Sequence, residues 1–255
     1  MNEDLPSIEI LGIPIACLDA SEALTEIERL HQRPSPALVA YINAHSINLA
    51  TRNAPYRDIL VGSDLNLNDG SGVALAARIH GRRFKENLNG SDFNGDILRL
   101  AARLGWPVYL LGAAEGVADR AADRLRTQIE GLNIAGTHPG YWKESSAGDV
   151  VAAIRASGAD LVMVAMGNPR QEEWLANNLE STGARVGVGV GAFLDFTAGI
   201  VPRSPSWMNR FGVEWMWRLI QEPRRLWRRY IVGNPLFLAR VVRSRLGAGN
   251  RKVDG

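Results

Sequence analysis

One cysteine, Cys17, stands among the 255 residues. That excludes an intrachain disulfide and a cysteine-built zinc site, and it fits a reducing compartment. Histidine is nearly as scarce, at four residues. His45 and His138 are too isolated for a metal claim, and each reads as a hydrogen-bonded turn residue. No D-x-D pair is present to hold a divalent cation on a nucleotide diphosphate, so no metal site is expected. No apolar run approaches the roughly 20 residues that span a bilayer. The best candidate, Tyr230 to Val242, is interrupted by Asn234-Pro235 and Arg240. The opening MNEDLPSIEI is acidic and polar, unlike a signal peptide, so a cytoplasmic protein is expected. Neither G-x-x-x-x-G-K-[ST] nor G-x-G-x-x-G occurs, which leaves a P-loop and the usual dinucleotide turn unsupported. There is no fixed-period repeat and no low-complexity segment.

What is present is an apolar fraction of 46%, ample for a core, arranged as alternating strands and helices. SIEILGIPIACL reads as two short strands around Gly12-Ile13-Pro14, followed by a helix with Asp19 or Ser21 as N-cap. From Pro36 onward, strand precedes helix repeatedly. ALVAYIN leads to AHSINLATRN, DLNLN to DGSGVALAARIHG, and PVYLLG to AAEGVADRAADRLRTQIEG. LNIAGTHPG then leads to a helix through VVAAIRASG, ADLVMVAMG to NPRQEEWLANNLES, and ARVGVGVG closes the series. Short, nearly all-apolar strands alternating with helices predict an α/β fold, a Rossmann-like parallel sheet covered on both faces. Strand signals vanish from Ser206, which divides the chain into an α/β body (1–205) and a C-terminal helical appendage (206–255). Pro223 lacks an N–H, so it kinks the first helix there or begins a second, and Pro235 marks a further start.

In open parallel sheets, ligands sit beyond the carboxyl ends of the strands. The loops expected there are 43–46, 68–72, 111–116, 137–141, 167–172 and 191–199, several of them Gly-rich with a polar edge. Such loops let backbone N–H groups and helix N-termini approach an anion. Asp69 follows an alternating strand and precedes Gly-Ser-Gly at a helix start, where a carboxylate serves as general base or as N-cap. Asp195, between Leu194 and Phe196, is expected to be partly buried and so to need a partner.

The appendage has a charge of its own. Residues 203–252 hold eleven Arg and one Lys against two acidic residues, whereas the whole chain is only +2. Trp207, Trp215, Trp217 and Trp227 fall in the same window. Trp buries its body while its N–H stays wet, and Arg pairs with phosphate bidentately, so the stretch suits a membrane surface or a phosphorylated ligand. An ordinary helix pair with a solvated Arg face is the plainer alternative.

Asn43, NDGSG with GVALAARIHG (68–81), NGSDF (89–93), GNPRQEEW (167–174), GAFLDFTAG (191–199) and VEWMWRLIQEPRRLWRRY (213–230) together resemble the WecG/TagA/CpsF family of bacterial glycosyltransferases. The resemblance runs in register from about residue 8 to about 230, and E-W-x-x-R-L-x-x-E-P-x-R is its most specific part. It implies an inverting, metal-independent transfer, without cofactor, from a UDP-sugar to a polyprenyl-diphosphate-linked acceptor in exopolysaccharide, capsule or related envelope glycan synthesis. It further implies Asp69 as the base and Asn43 in the acceptor pocket. Tyr41 stands where the family has Thr, and Asn87 where it has Arg, so the sugars of the best-known members do not carry over. Gly140, Tyr141, Gln171 and Asp195 match donor-site positions, and Arg218, Arg225 and Arg228 match arginines that hold the diphosphate.

The expected enzyme is thus peripheral on the cytoplasmic membrane face, with UDP-sugar and lipid-linked acceptor as partners and a homo-oligomer left open. Two rival readings are a non-catalytic membrane adaptor with a nucleotide fold and a nucleic-acid binder using the basic tail. The acidic body and the lack of a binding motif speak against nucleic acid as a partner.

Overall fold

The computed structural model describes residues 5–143, 147–202, 208 and 214–250, with only the backbone given for Glu214, Arg225 and 247–250. Its first element is a hairpin of β1 (Ser7–Ile10) and β2 (Ile13–Ala16). The turn is Leu11-Gly12, with φ of 52° and 80°, rather than Gly12-Ile13-Pro14. Two consecutive positive φ values match the twist of the flanking strands, and Pro14 sits inside β2.

Six parallel strands form the main sheet: β3 (Ala37–Ile42), β4 (Leu65–Asn68), β5 (Val108–Gly112), β6 (Ile134–His138), β7 (Leu161–Ala165) and β8 (Val186–Gly189). Their order is β4-β3-β8-β7-β5-β6. All but the edge strand β6 are buried along their whole length, as helices on both faces require.

One face is covered by α1 (Ala20–His31), α5 (Gly90–Leu104), α6 (Val117–Gln128) and α9 (Phe193–Thr197), through Ile27, Ile97, Ala121 and Phe193. The other carries α2 (Ala44–Ala50), α3 (Ala54–Gly62), α4 (Ser71–Ile79), α7 (Ala147–Ser157) and α8 (Arg170–Thr182). Asp19 caps α1 in a reciprocal box with Glu22. Helices α3 and α5 are additions to the sequence pattern, which supplies one helix per connection. After β4 the chain must cross three strands to reach β5, on the order of 20 Å at ~4.8 Å per strand, and one short helix does not span that.

The appendage contains α10 (Glu214–Gln221), α11 (Pro223–Trp227), a π-helical turn (Arg228–Val232) and α12 (Gly233–Asn250). Pro223 begins α11, where its missing N–H costs nothing. Helix α12 starts at Gly233, so Pro235 lies in its first turn. This helix packs on α2 and α4 and buries Phe237 and Val241 completely in the second core cluster. Asn48 of α2 donates from Nδ2 to the Gly233 carbonyl at 2.7 Å. Trp217 Nε1 donates to the Pro202 carbonyl at 3.2 Å. The expected boundary at 205/206 and Trp207 lie outside the described residues.

Candidate active site

A cleft of about 620 Å³ opens over the carboxyl ends of β3, β4, β5, β7 and β8. The six loops expected at that edge are all there, because parallel strands send every strand-to-helix loop to one side.

Asp69 lies in the cleft just after β4. The N-cap of α4 is Gly70, without any side-chain cap, so Asp69 is not spent on helix capping. Instead its Oδ2 accepts from Asn43 Nδ2 at 3.1 Å. Asn43 can aim that amide because its Oδ1 is fixed as the N-cap of α2, accepting from the backbone N–H of His45 and of Ser46, each at 3.0 Å. The turn after Asp69 is held too. Asn68 Nδ2 donates to the Glu86 carbonyl at 2.9 Å, and the next residue, Asn87, accepts the Gly70 N–H on its Oδ1 at 3.0 Å. Asn87 therefore shapes the Asp-Gly turn. Asn68 is recognisable by its type, a polar residue in a strand that is buried throughout.

Tyr41 is buried in the cleft wall, donating from its hydroxyl to Asn94 Oδ1 at 2.8 Å. Burial first, with the Asp69 and Asp96 charges second, pushes that hydroxyl well above its ordinary range, so it stays neutral. His45 also lines the cleft. Burial, aided by the Arg229 charge, lowers its pKa to about 4, so it too is neutral at ordinary pH. His138 is the turn residue expected, with Nδ1 2.8 Å from the Pro139 carbonyl oxygen and its ring edge-on to Trp142.

Gly140 backs the wall rather than facing the cavity. Its N–H donates to the Ala113 carbonyl at 2.8 Å, and a Cβ on it would lie 3.0 Å from Gly112 Cα. Tyr141 lines the cleft, with Arg170 5.7 Å from its ring centre. Gln171 is only 2% exposed. Its Oε1 accepts from the N–H of Gly167 and of Gly191, both at 3.0 Å, and its Nε2 donates to Glu172. Asp195 is half-buried, as expected, and lines the cleft from α9.

Arg218 reaches the cleft with its guanidinium 5.3 Å from the centre of the Phe196 ring. Arg228 does not line the cavity; it is exposed and stacks over Trp227. The neighbouring Arg229 lines it instead. The Arg225 side chain is outside the described residues. Among the described residues, no three His, Cys, Asp or Glu side chains are grouped so as to hold a metal ion.

The class defined so far is a Rossmann-like α/β protein whose cleft joins a held carboxylate to arginines delivered by a C-terminal appendage. The chain belongs to the glycosyl transferase WecG/TagA/CpsF family, whose family model matches residues 8–251. It is 33% identical over 206 residues to an N-acetylglucosaminyldiphosphoundecaprenol N-acetyl-beta-D-mannosaminyltransferase of Bacillus spizizenii, covering 81% of this chain and 79% of the relative. A protein of the same description from Bacillus subtilis is 30% identical over 195 residues, covering 76% and 75%. A solved structure from Burkholderia cenocepacia J2315 overlaps 83% of this chain and 92% of its own at 16% identity and a TM-score of 0.27, too low to bear on function.

Proposed function

We propose that the protein transfers a sugar from a UDP-sugar to a polyprenyl-diphosphate-linked acceptor, in one displacement with inversion, during synthesis of an exopolysaccharide, capsule or related envelope glycan. The observation that carries this reading is the Asp69–Asn43 pair in the same cleft as Arg218 and Arg229. The acceptor hydroxyl oxygen bonds to the anomeric carbon while its proton passes to Asp69. The bond from that carbon to the diphosphate oxygen breaks, and UDP leaves with the electron pair. Arginines already in place stabilise the charge that grows on the diphosphate, in place of a metal ion. Family membership and the lipid-linked acceptor in both relatives' names support the acceptor class. Tyr41 and Asn87 shape the sugar and acceptor walls differently from the family pattern, so the donor sugar is best found by trial.

The appendage also suits a membrane surface. Met216, Ile220, Trp227, Ile231, Val232 and Leu246 are exposed there, among exposed Arg224, Arg228 and Arg243. Apolar side chains reaching the headgroup boundary, with cations worth roughly 1 kcal/mol each on an anionic leaflet, would hold the enzyme where its acceptor lies. No helix among the described residues is long and apolar enough to cross a membrane.

A donor screen tests the reading. UDP-N-acetylmannosamine, its uronate, UDP-glucose and UDP-glucuronate would be offered with a polyprenyl-diphosphate-linked N-acetylglucosamine acceptor, with and without excess EDTA. Transfer from at least one donor, unchanged by EDTA, is expected. Failure to bind UDP and to transfer from any of them would return the chain to a membrane adaptor. Loss on chelation, restored by a divalent ion, would overturn the arginine reading alone.

A further inference from the structure

Beneath the cleft lies a carboxyl group that the reaction above does not use. Glu172, in the first turn of α8, is completely buried. Its Oε1 accepts from Gln171 Nε2 and from Asn168 Nδ2, each at 2.7 Å, while Oε2 is buried without a close hydrogen bond and the nearby Tyr56 hydroxyl favours the charged form. Asn168 Nδ2 also lies 3.3 Å from the Tyr56 hydroxyl. Among the described residues no cation pairs with Glu172. Burial raises its pKa to about 7. A buried carboxyl is costly to desolvate, and what offsets that cost here is the pair of side-chain amides it holds.

We propose that Glu172 is a positioning residue for donor binding: it locks the Gln171 amide so that one oxygen ties the loop after β7 to the loop after β8. The amide has a single satisfied orientation. Its oxygen faces two backbone donors, Gly167 and Gly191, and its nitrogen faces the Glu172 carboxyl. Reversed, it would set donor against donor. Each of the two tied loops carries part of the cleft lining. One presents Asn168; the other runs into α9, which presents Asp195 and the Phe196 ring under Arg218. Strand β8 leaves room for the lock by ending in Gly189, where a Cβ would lie 2.8 Å from Gln171 Nε2 and 3.1 Å from Glu172 Oε1. Glu172 itself does not line the cleft, so it acts through Gln171 and Asn168.

The inference rests on the donor reading above, and UDP affinity by calorimetry tests it without knowledge of the sugar. Leaving the two amide donors without their acceptor amounts to about 10–100-fold in binding. Glu172→Ala is expected to weaken UDP by about that factor. Glu172→Asp, too short to reach both amides, should fall between it and the wild type. Glu172→Gln keeps an acceptor oxygen for both amides and should bind UDP within about threefold of wild type, a rescue that tracks hydrogen bonding rather than charge. If the alanine variant does not fold, the aspartate variant and Gly189→Ala, which pushes the Gln171 amide aside, carry the test. UDP affinity unchanged in Glu172→Asp and Gly189→Ala would overturn the proposal, as would a Glu172→Gln as weak as the alanine variant. A wild type that does not bind UDP would sink the donor reading, and this inference with it.

Discussion

Asp69 is the carboxylate proposed above as the general base, and Asn43 holds it in the cleft. Among the described residues only its Oδ2 is engaged, by Asn43. Asp69→Asn is therefore expected to lower turnover by about 10²–10⁴-fold, the usual general-base contribution, with UDP affinity within a few-fold of wild type. Near-normal transfer by purified Asp69→Asn would remove Asp69 from the mechanism. Two other buried groups set an acid–base balance in the fold. Glu172, raised from 4.5 to about 7, contributes stability that is fully present below pH 4.5 and lost as pH rises through 7. His45, lowered from 6.5 to about 4, contributes stability present above pH 6.5 and lost as pH falls through 4. Their slopes oppose one another across the shared window. Glu172→Gln removes the first alone, so its stability relative to wild type should rise between pH 5 and pH 8, by at most about 3 kcal/mol. Urea unfolding at the two pH values checks this, and an equal difference at both would contradict it.

At the scale of the element, the π-helical turn decides which arginine meets the cleft. An i→i+5 turn places one residue more in a turn than an α-helix does, and so changes which side chains face inward. Here it begins at Arg228, which stays outside over Trp227, and Arg229 lines the cavity. Arg229→Gln should therefore cost transfer on the order of 10²-fold, as removal of a preorganised charge donor does, whereas Arg228→Gln should leave solution transfer within a few-fold of wild type. Equal losses in the two variants, measured with a soluble acceptor analogue, would show that the turn does not select between them.

Over the whole molecule, the appendage is both a wall of the site and part of the core. Residues 1–205 retain every strand among the described residues and helices α1 to α9, so a truncation after Pro205 should still fold. It loses Phe237 and Val241, however, each fully buried and worth roughly 1.5–3 kcal/mol of apolar burial. The surface they covered on α2 and α4 becomes an exposed apolar patch. The truncated protein is expected to melt lower, to self-associate, to leave anionic liposomes unbound in sedimentation, and to lose transfer. Liposome binding and turnover equal to the full chain would reduce the appendage to packing alone.

Local patterns carried much of this. All-apolar runs mark strands buried on both faces, and the alternating run DLNLN marks one by its period of two, so all six strands of the sheet, its parallel sense and the edge that carries the loops were legible in the residues. Pro223 was legible as a kink or a helix start, and the structure makes it a start, where its missing N–H breaks no hydrogen bond. What no window of sequence contains is the joining of elements distant in the chain. Asn43 is placed in an acceptor pocket by resemblance alone, and only the β3–β4 pairing brings Asp69 to its side-chain amide. Asn87 reads as a lost arginine, and only the return of the chain past β4 makes it the clasp of the Asp-Gly turn. Gln171 reads as a ligand contact, and only the adjacency of β7 and β8 gives its oxygen two backbone donors from loops more than twenty residues apart. Residue type and spacing determined the strands and which groups could do chemistry; strand order decided which of those groups meet, because hydrogen bonds act over about 3 Å whatever the separation along the chain.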